Sequence, residues 1–203
     1  MRFPRTLVAE FARKLASHGL IVGSEGNVSL RAKEHIYTTP TGVLKAELSP
    51  SQVVVMDLEG QVVEGGRPSS EWPMHVAIYQ KRPDIKAVIH AHPPYTLALS
   101  LAGFDFSRPF LVEAAIFLKE IALIPFALPG TEEVPKAMEP YLHQGQVFIL
   151  ERHGAVTIGK DLAEAFNLML ILEQVSRVTW LALSLNPEAK PLSPEELERL
   201  RQS

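Results

Sequence analysis

Two histidines one residue apart, His90 and His92, close a short apolar run of Ala87, Val88 and Ile89 and are followed at once by Pro93 and Pro94. The β-branched pair in that run predicts a buried strand. On a strand, residues two apart point the same way, so both imidazoles share a face. Such a pair, stopped by two prolines, is placed to grip a metal ion. A third ligand must come from elsewhere, and His153, followed by Gly154, is the best candidate. Three neutral imidazoles leave a zinc-type ion at least one open position, as catalytic rather than structural sites do. That ion polarises a carbonyl and steadies the charge left when a carbon-bound proton departs. The proton needs a base, and Glu71 is the nearest carboxylate in sequence. Facing a cation, it is expected to be ionised and able to ligate the ion before substrate arrives.

The remaining histidines read differently. His75 lies four residues after Glu71, on the same helical face, and is expected to be structural or supporting. His18, His35 and His143 are read as structural. Three stretches could receive an anionic group. Residues 23–29, Gly-Ser-Glu-Gly-Asn-Val-Ser, are either a surface turn or a cradle of exposed N–H, Asn and Ser donors. Thr39-Pro40-Thr41-Gly42 is a second tight turn. Ser69 and Ser70, just before Glu71, either cap a helix or face a ligand.

The elements that position these groups follow from periodicity. Leu7, Val8, Phe11 and Leu15 recur at helical spacing before Gly19. A short strand is expected over 36–38, and a hairpin over 52–56 and 61–63 around Asp57-Leu58-Glu59-Gly60. Pro73 suits an early position of a helix that Ser69 and Ser70 would cap. Another short helix follows the two histidines over 94–101. The pattern over 104–129 defines no boundaries. Thr131 is expected to cap a helix running to about Leu142. Strands at 147–150 and 155–158 flank the turn carrying His153, and Asp161 with Glu164 opens a long helix ending near Leu185. A terminal helix starts at Ser193-Pro194. Strands in the middle and helices at both ends predict an α/β layer fold with a mainly antiparallel sheet.

The totals narrow the class. A chain of 203 residues with 46% hydrophobic and 21% charged side chains is expected to form one domain, spanning 1–203, with an ordinary globular core. A net charge of −3 without a basic cluster argues against a nucleic-acid partner. Zero cysteines exclude disulfides and thiolate ligands, leaving metal binding to His and carboxylates. Charges at Glu10, Arg13 and Lys14 break the apolar run after Met1-Arg2-Phe3-Pro4-Arg5, so no secretory signal is read there. The long helix carries Glu164, Glu173 and Arg177 and reads as a core helix, not a membrane span. A cytoplasmic location is expected.

Five separated segments then coincide in order: Gly26-Asn27-Val28-Ser29, Thr39-Pro40-Thr41-Gly42, Ser69-Ser70-Glu71, His90-Ala91-His92 and His153-Gly154. Over residues 5–185 the chain resembles the class II aldolase/adducin family. The resemblance implies a single three-layer α/β domain, with a central, mainly antiparallel sheet flanked by helices. It also implies a homotetramer with sites at subunit interfaces. His90, His92 and His153 would hold zinc, and Glu71 would be the acid/base that also touches the empty metal. Asn27, Thr41, Gly42, Ser69 and Ser70 would bind a substrate phosphate, with Ser24 at the edge. The implied reaction cleaves a phosphorylated ketose, similar to L-fuculose 1-phosphate, into dihydroxyacetone phosphate and an aldehyde through a metal-stabilised enediolate. Residues 109–113, Pro-Phe-Leu-Val-Glu, lack the aldehyde-side tyrosine of such aldolases, which leaves Glu113 as its substitute, and the tail after Glu196 has no tyrosine either. Other members epimerise L-ribulose 5-phosphate, dehydrate methylthioribulose 1-phosphate or decarboxylate phosphorylated keto acids. A non-catalytic module like the adducin head, or a phosphosugar-binding regulator, is the reading outside enzymes.

Overall fold

The computed structural model describes residues 3–143 and 145–201; Met1 and Arg2 of the N-terminal stretch read above lie outside it. Eight strands form one sheet in the order β4-β3-β2-β1-β5-β8-β7-β6. They are β1 (Asn27–Ala32), β2 (His35–Thr38), β3 (Val54–Met56), β4 (Val62–Glu64), β5 (Ala87–Ala91), β6 (Ile121–Ile124), β7 (Val147–Leu150) and β8 (Gly154–Gly159). Every neighbouring pair is antiparallel except β6 with β7. The mainly antiparallel sheet is therefore as expected. The short parallel edge strand β6 fills part of the stretch where the sequence pattern set no boundary.

Among the described residues the α-helices are α1 (Pro4–Ser17), α2 (Trp72–Lys81), α3 (Pro94–Leu101), α4 (Glu133–Met138), α5 (Leu162–Leu185) and α6 (Pro194–Arg201); α1, α2, α4 and α5 pack on the sheet. Alternation along β5 divides its side chains between two cores. Ala87, Ile89 and Ala91 pack with Val8, Leu15, Met169 and Leu172 of α1 and α5. Val88 packs on the other face with Met74 and Ile78 of α2 and Met138 of α4. His90, two residues after Val88, thus points to the α2 face. The result is three layers with β5 in the centre.

α5 is long and apolar enough to cross a membrane by length and composition. It lies along the sheet, burying Leu162, Ala165, Leu168, Met169 and Leu172, as expected of a core helix. Asp161 caps it by accepting a hydrogen bond from Glu164 N at 2.8 Å. Midway along, the Glu173 carboxylate accepts from the N–H groups of Tyr95 and Thr96, at 2.9 and 3.0 Å. Those are unpaired donors of the first turn of α3, so α5 anchors the helix that begins just after His92.

Several boundaries differ from the sequence expectation. Glu71 itself, not Ser69 or Ser70, is the N-cap of α2, and Pro73 is the second helical residue. The hairpin strand β3 is shorter than the expected 52–56, because Pro50–Gln52 forms a 3-10 turn, and β4 lies one residue later than 61–63. The helix expected from Thr131 to Leu142 stops at Met138, where Glu139–Tyr141 tightens into a 3-10 turn around a proline.

Candidate metal centre

His90 lies within β5, zipped between β1 and β8, and is fully buried. His92 was expected on the same strand face, but β5 ends at Ala91. The backbone N–H of His92 instead donates to Leu20 O at 2.8 Å, which turns the residue back toward its neighbour. His153 enters from the β7–β8 turn, closed by His153 N donating to Leu150 O and by Arg152 at φ 59°. The three rings converge, with ligand nitrogens all within 4.8 Å of one another.

The lone pairs can be assigned. His90 Nδ1 donates to Ala155 O at 3.0 Å, and His92 Nδ1 donates to Glu25 Oε2 at 3.2 Å. Nε2 of each ring is then the atom left to ligate an ion, and these two nitrogens face each other at 3.2 Å. Glu71 Oε2 lies 3.2 Å from His90 Nε2, and Glu71 Oε1 lies 3.5 Å from His153 Nε2. Among the described residues, Glu71 Oε1 and His153 Nδ1 are buried without a hydrogen-bond partner. Converging lone pairs and an orphaned carboxylate oxygen repel one another unless a cation lies between them. The donor set of imidazole nitrogens and one carboxylate fits a zinc-type divalent ion.

Electrostatics agree. Burial pushes the Glu71 carboxyl up, but the His90 and His153 rings and the Asn27 amide outweigh it and hold it well below the usual carboxylate range. Burial, with His90 nearby, lowers His153 to about 4 and also lowers His92. His92 and His153 are therefore ready as neutral rings at neutral pH.

Gly154 makes the cluster possible. A Cβ there would lie 2.6 Å from Ala91 O and 2.7 Å from both His90 Cε1 and His92 Cδ2. The sequence allowed either close approach or positive φ, and close approach is the reason. Gly154→Ala is expected to weaken metal binding about 10- to 100-fold while the fold persists, as read by metal titration alongside circular dichroism. Affinity equal to the parent's would contradict this packing account.

Beside the three imidazoles, three loops are stitched together. Thr39 N donates to Val28 O, Ser69 N to Thr39 O, and Thr41 N to Arg67 O. Thr41, Gly42, Ser24 and Ser70 are exposed along this seam, whereas Ser69 is buried. Lys45, with 1% exposure, ties the first loop to the second by donating from Nζ to Ser24 O at 2.8 Å and Val43 O at 3.1 Å. Asn27 is more committed than a phosphate ligand needs to be. Its Nδ2 donates to Glu71 Oε2 at 2.8 Å and its Oδ1 meets His75 Nε2, leaving one N–H for a ligand. Glu113 is exposed and makes no hydrogen bond or ion pair with the cluster. Sequence reasoning missed Glu25, Lys45, Ser29 and Tyr79. The last two carried a signal, since Ser29 is two residues from Asn27 on β1 and Tyr79 is four from His75 on α2.

With this geometry in view, similarity to known proteins decides the lineage. Residues 6–180 match the family described as Class II Aldolase and Adducin N-terminal domain. The chain belongs to that family. An L-fuculose phosphate aldolase of Methanocaldococcus jannaschii is 37% identical over 174 residues, covering 86% of this chain and 94% of its own. A 3-oxo-tetronate 4-phosphate decarboxylase of Haemophilus influenzae is 31% identical, covering 86% and 85%. The solved structure of YgbL from Klebsiella pneumoniae superposes with a TM-score of 0.89 at 32% identity, covering 98% of this chain and 97% of that one. As a member of the class II aldolases and decarboxylases, the chain is an enzyme, a metal-dependent lyase.

Proposed function

We propose that this single-domain enzyme cleaves a phosphorylated ketose, similar to L-fuculose 1-phosphate, into dihydroxyacetone phosphate and an aldehyde. The observation that carries the reading is a largely buried carboxylate, Glu71, set against the His90 and His153 rings of a three-imidazole cluster next to an open, donor-lined seam. Bound to His90, His92 and His153, Zn2+ would act as a Lewis acid, drawing the charge that develops at the substrate's carbonyl oxygen. Asn27, Thr41, Gly42, Ser69 and Ser70 hold the phosphate and so orient the ketose. In the cleavage direction an aldehyde-side base takes the C4 hydroxyl proton, and the C4 oxygen becomes the aldehyde carbonyl as the C3–C4 bond breaks. The bonding electron pair stays with the C3 fragment, and Glu71, protonated for this step, delivers its proton to C3. In the condensation direction the same carboxylate removes that proton. The buried setting, with Asn27 at 2% exposure and His90 at 0%, keeps bulk water from competing for it.

A homotetramer with sites at subunit interfaces and a cytoplasmic location completes the reading. The loop after β6 supports the interface: Gly130 lies against Ser70, and Phe126 and Leu128 are 61% and 52% exposed. A neighbouring subunit there would supply the aldehyde-side proton donor that residues 109–113 lack.

The decarboxylase-named relative gives a second reading, removal of CO2 from a phosphorylated keto acid, which needs the same metal and phosphate halves. Turnover assays on purified protein decide between them. L-Fuculose 1-phosphate, L-ribulose 5-phosphate, methylthioribulose 1-phosphate and 3-oxo-tetronate 4-phosphate would be offered in parallel. Cleavage of the first is expected; a response confined to any other sinks the aldolase proposal.

A further inference from the structure

Behind Glu71 runs a chain of buried polar side chains, of which the reaction as described uses only Asn27. Asn27 Nδ2 contacts Glu71 Oε2, and Asn27 Oδ1 contacts His75 Nε2. His75 Nδ1 lies 2.6 Å from Ser29 Oγ, which lies 2.8 Å from Tyr79 Oη. Tyr79 Oη also sits 3.3 Å from Lys86 O. His75, Ser29, Tyr79 and Asn27 are at most 2% exposed. A polar chain so deep in the α2–sheet core is unfavourable unless every donor meets an acceptor.

That requirement gives the chain a direction. The Glu71 carboxylate can only accept, so Asn27 must turn its NH2 toward it and its carbonyl oxygen toward His75. His75 Nε2 must then donate. The ring has one proton to give, because burial lowers its pKa to about 3. Nδ1 is therefore bare and accepts from the Ser29 hydroxyl. The Ser29 oxygen in turn accepts from Tyr79, whose single proton goes to the nearer partner at 2.8 Å and not to Lys86 O at 3.3 Å. Were the direction reversed, Tyr79 would donate to Lys86 O and His75 would carry its proton on Nδ1. Two acceptors would then face each other at Asn27.

We propose that Tyr79, Ser29, His75 and Asn27 form a one-way hydrogen-bond relay that locks the Asn27 amide onto Glu71 Oε2 and so reserves Oε1 as the oxygen that exchanges a proton with substrate. Oε2 is occupied by an N–H donor and by the His90 side of the cluster, so a proton arriving there would meet the Asn27 N–H. Oε1 has no hydrogen-bond partner among the described residues. The proton leaving the substrate carbon bonds to Oε1, and its former bonding pair remains on the substrate. The four side chains are positioning residues, because none needs to touch the reacting carbon. This inference rests on Glu71 being the base.

The test has a spectroscopic and a kinetic arm, both on the metal-loaded enzyme. Nitrogen-15 NMR of histidine-labelled protein at neutral pH, with the His75 signals assigned from a His75→Gln variant, is expected to show a neutral ring protonated at Nε2. A ring protonated at Nδ1 overturns the relay, whatever the variants do. In the kinetic arm, exchange of the C3 proton of dihydroxyacetone phosphate with deuterated water is followed without aldehyde. Ser29→Ala is expected to slow this exchange about 10- to 100-fold, with KM and metal content held within about twofold of the parent. Tyr79→Phe keeps the Ser29 donor and is expected to lose less, with His75 still protonated at Nε2. Parent-like exchange in Ser29→Ala refutes the relay. Undiminished exchange in Glu71→Gln would instead remove the base assignment beneath it, so the two failures are distinct.

Discussion

Replacing Glu71 by glutamine is expected to lower turnover of the phosphosugar by about a thousandfold, within the range by which a positioned acid/base accelerates proton transfer. The swap keeps the shape of the side chain and an oxygen for the Asn27 amide, so the neighbouring hydrogen bonds have no reason to collapse. What is lost is the ability to take a proton. KM should stay near the parent value, since the proposed phosphate contacts lie on other residues. The measurement is kcat and KM for cleavage, with metal content determined on the same sample. Activity within a few fold of the parent would exclude Glu71 as the proton carrier and leave its burial against the His90 and His153 rings without a chemical purpose.

The second large effect is expected from His92→Ala. This ring contributes one of two facing Nε2 atoms, and its removal leaves two imidazoles and a carboxylate. Loss of a direct ligand should exceed the 10- to 100-fold typical for a supporting partner, so the variant is expected to bind metal more than about 100-fold more weakly. Turnover should fall with metal occupancy and recover in part when excess metal is supplied. Elemental analysis of untagged protein, before and after dialysis, reads this directly. A variant that retains the parent's metal would show the ion lies elsewhere.

How far the sequence could foretell these features depended on how local each signal was. The run from Ala87 to Ile89, the two histidines and the prolines after them announced a strand that ends in two converging imidazoles, because apolar patterning and chain punctuation are properties of neighbouring residues. The turn carrying His153 was legible from two apolar runs flanking it, while its left-handed Arg152 was not, since arginine carries no mark of positive φ. Residues 104–129 hid a π-helical turn at Ala114–Leu118, Lys119 at φ 52° and the four-residue strand β6. None of these has a period long enough to read. Glu25 was overlooked for a chemical reason, because an acid looks out of place in a loop proposed to hold an anion. It serves the imidazole of His92 instead. The relay behind Glu71 required knowing that β1 and α2 lie face to face, a tertiary fact absent from either segment. Asn27 was legible as a site residue through the family resemblance, but not its commitment to Glu71 and His75.

The strand that bears His90 is laced to its neighbours along both margins, and Gly154 is wedged against Ala91 and both rings. The cage is thus held in place by main-chain bonds and by two apolar cores. In small zinc-nucleated modules the ion drives the folding of the chain; here two apolar cores supply the folding energy, so removing the ion is expected to leave the fold standing. Stripping and refilling then become ordinary ligand exchange, and which ion occupies the seat follows from supply and from the order in which divalent ions favour imidazole.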